Sequence, residues 1–415
     1  MFSTQFSTIA FLSETYTKHY FSAIFTAGTT TKTNFKKFFF DSFIMFAMTL
    51  KLTDFRCYDS LEITFDKGIN ILRGKNAAGK TTIPESIYTL ATSKSFRTSK
   101  DAEMIKEGSD FCRAEAEVEK EYDADAKLAL VISRKEKKRF TVNGSERAKI
   151  SEVIGRINAV SFTSADTETL KGEPALRRRF LDLEIGQMSP RYLSSLAGYK
   201  RSLRQRNVLI KSFDKNLSRK RELDQWNYVL AKSAAVLVRS RCSFLKRLGE
   251  HAAPWHKKLS GLSEDLTLSY KCGISGFDPD MSESECADFF VKKYEESAGD
   301  DIFRGHTTSG PHRDDFKVSV NFADVSVYAS SGQLKTAAIA LKIAEMRLLT
   351  DITGEQPIML LDDITAELDP IRCGAVFDAA RDWQQTIITA ASLDGEYESR
   401  ADVIFSVESG KVARL

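Results

Sequence analysis

The sequence lacks the usual marks of a secreted or metal-stabilised protein. Its six cysteines are scattered along 415 residues without a C-x-x-C pair, so neither a zinc site nor a disulfide framework is predicted. Of only five histidines, His251 and His256 are the nearest pair, a poor metal-ligand spacing that we interpret as surface positions of a helix. These absences favour a reducing compartment, and we expect the protein in the cytoplasm.

Long hydrophobic runs are also missing. In residues 1–47, Lys36, Lys37 and Asp41 interrupt the apolar stretches, so no membrane span of about 20 residues fits. No charged segment precedes a compact apolar run, which argues against a signal peptide. The composition changes at Met48, where an alternating pattern begins. We therefore predict that residues 1–47 are a non-native or disordered extension and that translation starts at Met48.

What is present begins with a phosphate-loop pattern. An apolar segment, Ile69–Leu72, precedes a G-x-x-x-x-G-K-T sequence, and this order predicts a strand, a loop and a helix. Backbone N–H groups at such a helix N-terminus favour anions. The loop comprises Gly74, Lys75, Asn76, Ala77, Ala78, Gly79, Lys80 and Thr81, with Lys80 placed to reach the β- and γ-phosphates of ATP and Thr81 to bind Mg²⁺.

A second chemical motif lies near the other end of the chain. The apolar segment at residues 357–361 ends in Asp362 and Asp363. One carboxylate at such a strand end can hold Mg²⁺ and its neighbour can orient or deprotonate an attacking water. We assign catalytic roles to Lys80, Asp362 and Asp363. A Gly-rich turn that binds no nucleotide and a solvated strand end are the alternatives, and the occurrence of both motifs in one chain favours an ATPase.

Charge is distributed unevenly along the chain. Residues 171–260 contain 21 Lys and Arg but 7 Asp and Glu, a local balance of +14, so the rest of the chain is acidic. A basic region of this strength is typical of a nucleic-acid-binding surface, although solvated helix faces are the alternative. Six arginines are our DNA-binding candidates: Arg177, Arg178, Arg179, Arg201, Arg204 and Arg206.

The order of these segments predicts the domain organisation. The phosphate loop and the Asp-Asp strand must meet at one Mg·ATP, so the two flanks of the basic region must fold together. We predict an α/β fold, an ABC-type P-loop ATPase head assembled from N- and C-terminal segments with an inserted helical arm. The expected divisions are residues 48–170, the first part of the head; 171–300, the arm with its acidic tail; and 301–415, the second part of the head.

A third motif precedes a predicted helix in the C-terminal part. Ser330, Ser331, Gly332 and Gln333 form a Ser-Gly-rich turn at its N-terminus, which is a second place suited to an anion. In ATP-binding-cassette ATPases the equivalent turn reaches the nucleotide of a partner subunit. An ordinary capped helix is the alternative.

With these motifs the chain resembles the RecF family, relatives of the structural-maintenance-of-chromosomes ATPases. The resemblance covers residues 48–415. It rests on five segments: Asp54–Tyr58, Lys94–Thr98, Arg177–Asp182, Tyr199–Asn207 and Thr308–Asp315. The last two segments are absent from transporter ATPases.

The resemblance implies a function in recombinational repair and replication restart. It implies ATP-dependent binding of single-stranded, gapped or junction DNA, an ATP-dependent homodimer, and a weak, DNA-stimulated ATPase that acts as a switch. With RecO and RecR, such proteins promote RecA loading and the SOS response. It further implies that the Ser330–Gln333 turn acts in trans, that Leu368 and Asp369 belong to a loop crossing the dimer interface, and that Arg97 lies near the metal or water.

Two departures from the pattern and three other functions remain open. Pro84 lies in the helix after the phosphate loop, where we expect tolerance or a slight kink. Residues 1–47 match nothing in the family. The other functions are a transporter ATPase, a nuclease coupled to an ATPase, and an SMC-like or non-hydrolysing ATP-gated DNA clamp. The transporter lacks a basic helical insertion, and the nuclease needs a second acidic cluster.

Overall fold

The computed structural model describes residues 45–120, 125–147, 149–212, 217–261, 263–363, 368–392 and 395–415. Within these residues the chain forms two six-stranded sheets, one three-stranded sheet and a set of helices. None of the described helices combines the length and the apolar character needed to cross a membrane.

The first six-stranded sheet is antiparallel and comes from the N-terminal part of the chain. Its strand order is β2-β1-β4-β5-β6-β7. The hairpin between β6 and β7 turns at Asn143 and Gly144, whose φ values of 51° and 78° suit this dipeptide. Its strands are β1 (Met45–Phe55), β2 (Tyr58–Thr64), β4 (Phe111–Lys120), β5 (Ala126–Ser133), β6 (Arg139–Val142) and β7 (Ser145–Arg147).

The second six-stranded sheet joins the two ends of the chain. Its order is β15-β14-β3-β13-β12-β8, parallel except for β15. Because β13 lies between β3 and β12, the ends of the phosphate-loop strand and of the Asp-bearing strand open on the same edge. Its strands are β3 (Gly68–Arg73), β8 (Ala159–Phe162), β12 (Ile358–Asp362), β13 (Gln385–Ala390), β14 (Val403–Glu408) and β15 (Lys411–Arg414).

Helix α1 (Thr82–Thr92) lies between these two sheets and is buried along its whole length. Its apolar residues Ile83 and Ile87 share one core cluster with residues of both sheets. Thr89 and Thr92 donate hydrogen bonds to carbonyls one turn back, at 2.6 and 2.8 Å, which satisfies their buried hydroxyls. Pro84 lies in the first turn, where it leaves the helix continuous, as the sequence predicted.

The basic region forms the helical arm. Its longest helix, α5, has 43 residues and packs against the helices on either side of it. The arm helices are α2 (Asp166–Lys171), α3 (Pro174–Met188), α4 (Pro190–Lys211), α5 (Leu217–Leu259), α6 (Glu283–Glu296) and α7 (Ala298–Arg304).

The arm also contains a three-stranded sheet, whose strands lie on both sides of the domain boundary predicted at residue 300. Strand β9 (Leu266–Lys271) pairs with β10 (Asp315–Val320), and β10 pairs with β11 (Ala323–Asp324). Residues before and after the predicted boundary therefore form one sheet, and residue 300 itself lies inside helix α7. The arm extends to the short helix α8 (Val325–Tyr328).

The two segments most specific to the family resemblance pack on each other inside the arm. The Tyr199 hydroxyl lies 2.7 Å from Nδ1 of His312. Asn207 accepts hydrogen bonds from the backbone and the hydroxyl of Thr307, at 2.8 and 2.7 Å. These contacts join α4 to the segment before β10, so the two segments hold the arm together.

Helix α9 (Ser331–Thr353) connects the arm to the parallel sheet because it has two apolar faces. Leu341 and Leu348 pack with the arm helices, whereas Ile339 and Met346 pack on the parallel sheet. The remaining helices are α10 (Pro370–Ala380), on the outer side of that sheet, and α11 (Gly395–Glu398).

The start of the described chain corrects the predicted boundary at Met48. Met45, Phe46 and Ala47 are buried and belong to β1, where they pair with β4. Gln385 exchanges two hydrogen bonds of 2.9 Å with the backbone of Ala47. The composition change at Met48 therefore lies inside a strand. The prediction missed the first three residues of this strand because they are buried in succession and do not show the alternating pattern that begins at Met48. Residues 1–44 lie outside the described chain.

Candidate nucleotide-binding site

The phosphate loop runs from the end of β3 to the start of α1 and needs its two glycines. Gly79 has a φ of +103°, and a Cβ there would lie 2.9 Å from the Tyr58 hydroxyl. At Gly74 a Cβ would lie 2.1 Å from the carbonyl oxygen of Val407. The loop therefore passes too close to neighbouring strands for any side chain at these positions.

Lys80 folds back over the loop. Its Nζ donates hydrogen bonds to the carbonyls of Gly74 and Lys75, at 2.7 and 2.9 Å, and its side chain is buried. This ammonium is held at the centre of the loop beside the N-terminus of α1. The arrangement concentrates positive charge where phosphate oxygens would bind.

The Asp-Asp pair lies at the end of β12, two strands from the phosphate loop. The hydroxyl of Thr389, on the intervening strand β13, donates to Asp362 Oδ1 at 2.7 Å. Burial raises the pKa of Asp362, while hydrogen bonds from Thr81 and Thr389 oppose that rise. The structure thus brings Thr81 and Asp362, predicted from distant parts of the sequence, into direct contact.

Asp363 follows in a left-handed conformation, with a φ of 51°. Its backbone N–H donates to the carbonyl and to the hydroxyl of Thr389, at 3.2 and 3.0 Å, which holds the turn. Its Oδ1 is buried and has no partner among the described residues. Strained backbone of this kind is typical of functional positions.

A cleft of about 620 Å³ is shared by the two motifs. Among the residues that line it are Asn76, Gly79, Lys80, Thr81, Arg97 and Asp363. A hydroxyl and a carboxylate in contact beside this cleft are hard oxygen donors, which fit Mg²⁺ accompanied by phosphate oxygens. Among the described residues no group of three or more His, Cys, Asp and Glu could hold a metal on its own.

The sequence reasoning missed an ionic cluster in the wall of this cleft. Glu85, fully buried in α1, accepts two hydrogen bonds from Arg56, at 2.6 and 3.0 Å, and one from Arg97 at 3.2 Å. The Ser95 hydroxyl donates to the same carboxylate at 2.5 Å. Two guanidinium groups share one carboxylate, so the cluster is cationic and lies at the edge of the cleft. A Glu as the one charged residue of helix α1 was the available signal.

The Ser330–Gln333 turn starts α9 with a capping box. Ser330 Oγ accepts from the backbone of Gln333 at 3.2 Å, and Gln333 Oε1 accepts from the backbone of Ser330 at 3.0 Å. Ser330 is exposed, and the turn is absent from the residues that line the cleft.

The predicted interface loop is only partly described. Leu368 packs against the core under α10, and Asp369 is the N-cap of that helix. Arg372, one turn further, pairs with Asp369 and donates to the carbonyl of Gly332 at 3.2 Å and to the hydroxyl of Thr336 at 2.8 Å. This arginine therefore ties the interface loop to the Ser330–Gln333 turn. Residues 364–367 lie outside the described chain.

Two of the six DNA-binding candidates were assigned wrongly. Arg206 is fully buried and donates to Asp301 and Thr307, each at 2.7 Å. Arg177 is also buried and holds both carboxylate oxygens of Asp315, at 2.7 and 2.8 Å. Both side chains are engaged inside the protein, because they pair with acids that are distant in sequence but adjacent in the fold.

The other four candidates are more accessible to different degrees. Arg178 donates to the Asp314 carbonyl at 2.9 Å and Arg179 to the Ser95 carbonyl at 2.6 Å, so both are partly engaged. Arg201 and Arg204 are exposed on one face of α4. These two are the most exposed of the six candidates, and their role in DNA binding stays a prediction.

Comparisons with known proteins agree with this geometry. The RecF/RecN/SMC N-terminal domain model matches residues 46–412. The DNA replication and repair protein RecF of Shouchella clausii is 39% identical over 374 residues, which cover 89% of this chain and 100% of that protein. RecF of Bacillus subtilis is 39% identical over 373 residues, with the same coverage.

Solved structures give the same result. The recombination mediator protein RecF with ATP, of the RecFOR pathway, superimposes with a TM-score of 0.82 at 29% identity, covering 90% of this chain and 100% of that one. An Smc head domain derived from Pyrococcus furiosus has a TM-score of 0.52 at 17% identity, which shows the ATPase-head fold alone. The expected fold is confirmed, and the chain belongs to the RecF family of DNA replication and repair proteins.

Proposed function

We propose that this protein is an ATP-dependent DNA-binding protein of recombinational repair and replication restart. It binds single-stranded, gapped or junction DNA as an ATP-dependent homodimer, and with RecO and RecR it promotes RecA loading and the SOS response. The observation that carries the proposal is that Lys80, Thr81 and Asp363 line one cleft, with Asp362 beside Thr81. The RecF relatives and the solved RecF structure with ATP support it.

The cleft suits a nucleoside triphosphate because its charges and donors match the phosphates. The Lys80 ammonium exchanges its two carbonyl partners for phosphate oxygens, and the N-terminal N–H groups of α1 add further donors. Thr81 and Asp362 would hold Mg²⁺, which neutralises phosphate charge when bound. Arg56 and Arg97 add two cationic groups to the cleft wall, which also contains the acidic Glu103 and Glu107.

Hydrolysis depends on Asp363 in this proposal. Its carboxylate lines the cleft, which places it to accept a hydrogen bond from the attacking water. Asp362, which contacts Thr81 and Thr389, is committed to the metal. The two adjacent carboxylates thereby take different roles.

Dimerisation follows from the position of the Ser330–Gln333 turn. The turn opens at the exposed Ser330 and is absent from the lining of its own cleft, whereas its helix N-terminus suits an anion. The bound ATP of a second copy supplies that anion. Two nucleotides then join two heads, and each arm presents Arg201 and Arg204 to the same DNA, which raises affinity through effective concentration.

The test is the variant Ser330→Arg, measured by light scattering with and without ATP. A bulky cation in the turn should abolish ATP-induced dimerisation while the monomer still binds ATP, because the phosphate loop of the same chain is untouched. DNA affinity should fall with the dimer, and the remaining binding should weaken with salt because it rests on phosphate contacts.

Ser284→Arg, at the exposed start of α6, is the matched control for an added arginine on a helix N-terminal turn. It should dimerise like the unmodified protein. A Ser330→Arg protein that still dimerises with ATP would contradict the proposed sandwich of two heads.

A further inference from the structure

The Ser330–Gln333 turn is connected to the long arm helix by a short chain of hydrogen bonds. Gln333 Nε2 donates to Glu264 Oε1 at 2.7 Å, and Glu264 Oε2 lies 3.0 Å from Nε2 of His256. His256 belongs to the last turn of α5, and Glu264 lies between α5 and β9. We call these three residues the His256–Glu264–Gln333 chain.

His256 is fully buried, contrary to the surface position that the sequence suggested. Burial lowers the pKa of His256, opposed by its hydrogen bond to Glu264. Because a carboxylate oxygen accepts, we assign an N–H to Nε2 of His256, which donates it to Glu264. A buried donor or acceptor without a partner is unfavourable, so the hydrogen bond between His256 and Glu264 favours this arrangement.

Gln333 uses both ends of its amide in this network. Its Oε1 closes the capping box by accepting from the backbone of Ser330, at 3.0 Å, while its Nε2 is held by Glu264. The orientation of the amide is therefore fixed from the arm side, and the amide in turn fixes the backbone of Ser330. On the opposite side Arg372 holds the carbonyl of Gly332.

We infer that His256 and Glu264 are positioning residues that orient the Ser330–Gln333 turn, from the arm helix, for the nucleotide bound by a second copy. The inference rests on the proposed function, since it assigns these residues to the ATP-dependent dimer. Neither residue lines the nucleotide cleft of its own chain. Loss of the chain should therefore affect dimerisation and leave nucleotide binding by the monomer intact.

The chain allows a test in which its polarity is reversed. Gln333→Glu retains an acceptor for the capping box, since Glu serves at that position as well as Gln. It replaces the donor that faces Glu264 with a second carboxylate, so the two side chains repel each other. We expect the ATP-dependent dimer to weaken about tenfold or more, corresponding to roughly 1.4 kcal/mol or more.

The double variant Gln333→Glu with Glu264→Gln should restore dimerisation to within about threefold of the unmodified protein, a difference below about 0.7 kcal/mol. The amide introduced at position 264 donates to the carboxylate at position 333 and accepts from His256, so every hydrogen bond of the chain is made again. A second disrupting variant, Glu264→Ala, should lose dimerisation although every residue of the turn is retained, and it should bind ATP as a monomer with unchanged affinity.

Light scattering with ATP measures dimerisation, and titration of the Glu264→Ala monomer with a fluorescent ATP analogue measures binding. Normal dimerisation of Gln333→Glu or Glu264→Ala would overturn the inference, and so would failure of the double variant to recover. If the unmodified protein does not dimerise with ATP, the proposed function fails and the inference with it. If Glu264→Ala loses ATP binding, its effect is a general loss of structure and the positioning role is wrong.

Discussion

The phosphate loop and the Ser330–Gln333 turn are both helix N-termini suited to anions, but they satisfy their donors in different ways. At the start of α1 the Thr81 side chain makes no capping hydrogen bond to its own helix, and its hydroxyl instead contacts Asp362. At the start of α9 the Ser330 side chain caps its own helix. The N-terminus of α1 therefore has no side-chain cap of its own, whereas the N-terminus of α9 is an exposed helix end with a complete capping box.

The side chains that support the two helix N-termini also differ. The phosphate loop is supported by charged groups, with Glu85 joined to Arg56 and Arg97 and with Lys80 over the loop. The turn before α9 is supported mainly through the amide of Gln333 and through Arg372 on its backbone. In the proposed function, nucleotide affinity is therefore set at α1, while α9 acts at the interface between two copies.

The largest effect is expected from Lys80→Ala, which removes the cation of the phosphate loop and leaves the Ser330–Gln333 turn unchanged. The phosphates lose the ammonium held at the centre of the loop, and a hydrogen bond to a charged group is worth about 1.5–3 kcal/mol, so ATP affinity of the monomer should fall about tenfold to a hundredfold. Isothermal titration with Mg·ATP measures this. Lys135→Ala, at an exposed lysine, is the control. Tight ATP binding by Lys80→Ala would contradict the assignment of the loop.

Asp363→Asn should reduce hydrolysis strongly while ATP remains bound. The substitution removes a base, a role worth about 10²- to 10⁴-fold in rate, and leaves Asp362 with its contacts to Thr81 and Thr389. Phosphate release under single-turnover conditions, beside a binding titration, measures both properties. The variant should accumulate the ATP-bound dimer. If it fails to bind nucleotide, the roles of the two carboxylates are reversed.

Glu85→Gln tests whether the charged support of the phosphate loop is structural. The substitution leaves two guanidinium groups around a buried neutral amide, and breaking a buried ion pair costs about 3–5 kcal/mol, with less expected here because Arg56 and Arg97 are partly exposed. Urea unfolding should therefore show a loss of about 2 kcal/mol, in the range of strongly destabilising single substitutions.

The matched comparison is Glu136→Gln, which removes an exposed ion pair with Arg139 and should change the free energy of unfolding by less than about 1 kcal/mol. Equal losses in the two variants would show that the Glu85 cluster contributes little to stability. In that case the placement of the Arg56 and Arg97 guanidinium groups would not depend on the charge of Glu85.

Much of the fold and of the cleft follows from local sequence patterns, because their signals are local. The phosphate loop, the apolar strands on either side of it and the Asp-Asp strand end could each be identified within about ten residues, and the parallel sheet brings them together. The capping box at Ser330 is likewise a local pattern.

The wrong predictions concern residues whose hydrogen-bond partners are distant in sequence. A basic composition indicates a charged surface, yet Arg206 is buried because Asp301 and Thr307, far along the chain, surround its guanidinium. His256 is buried because Glu264 and α9 cover it. Composition describes the whole arm correctly but does not show which of its charged residues point inward.

The smallest effect is expected from truncation before the described chain. Removing residues 1–43 should leave ATP affinity, dimerisation and thermal stability unchanged, because the family match begins only at residue 46. Removing residues 1–47 also deletes Met45, Phe46 and Ala47, which are buried in β1. Burial of a Met or Phe side chain contributes about 1.5–3 kcal/mol each, so this truncation should unfold at a clearly lower temperature.

Gln385 would also lose both of its hydrogen bonds to the backbone of Ala47. Because Gln385 starts β13, the strand between the phosphate-loop strand and the Asp-bearing strand, the shorter protein should bind ATP with unchanged affinity only at temperatures where it stays folded. Differential scanning calorimetry of the two truncations, with and without Mg·ATP, measures both effects. Loss of ATP binding on removal of residues 1–43 alone would mean that the preceding segment contributes to the cleft, and equal stability of the two truncations would contradict the position of Met45 and Phe46 in the core.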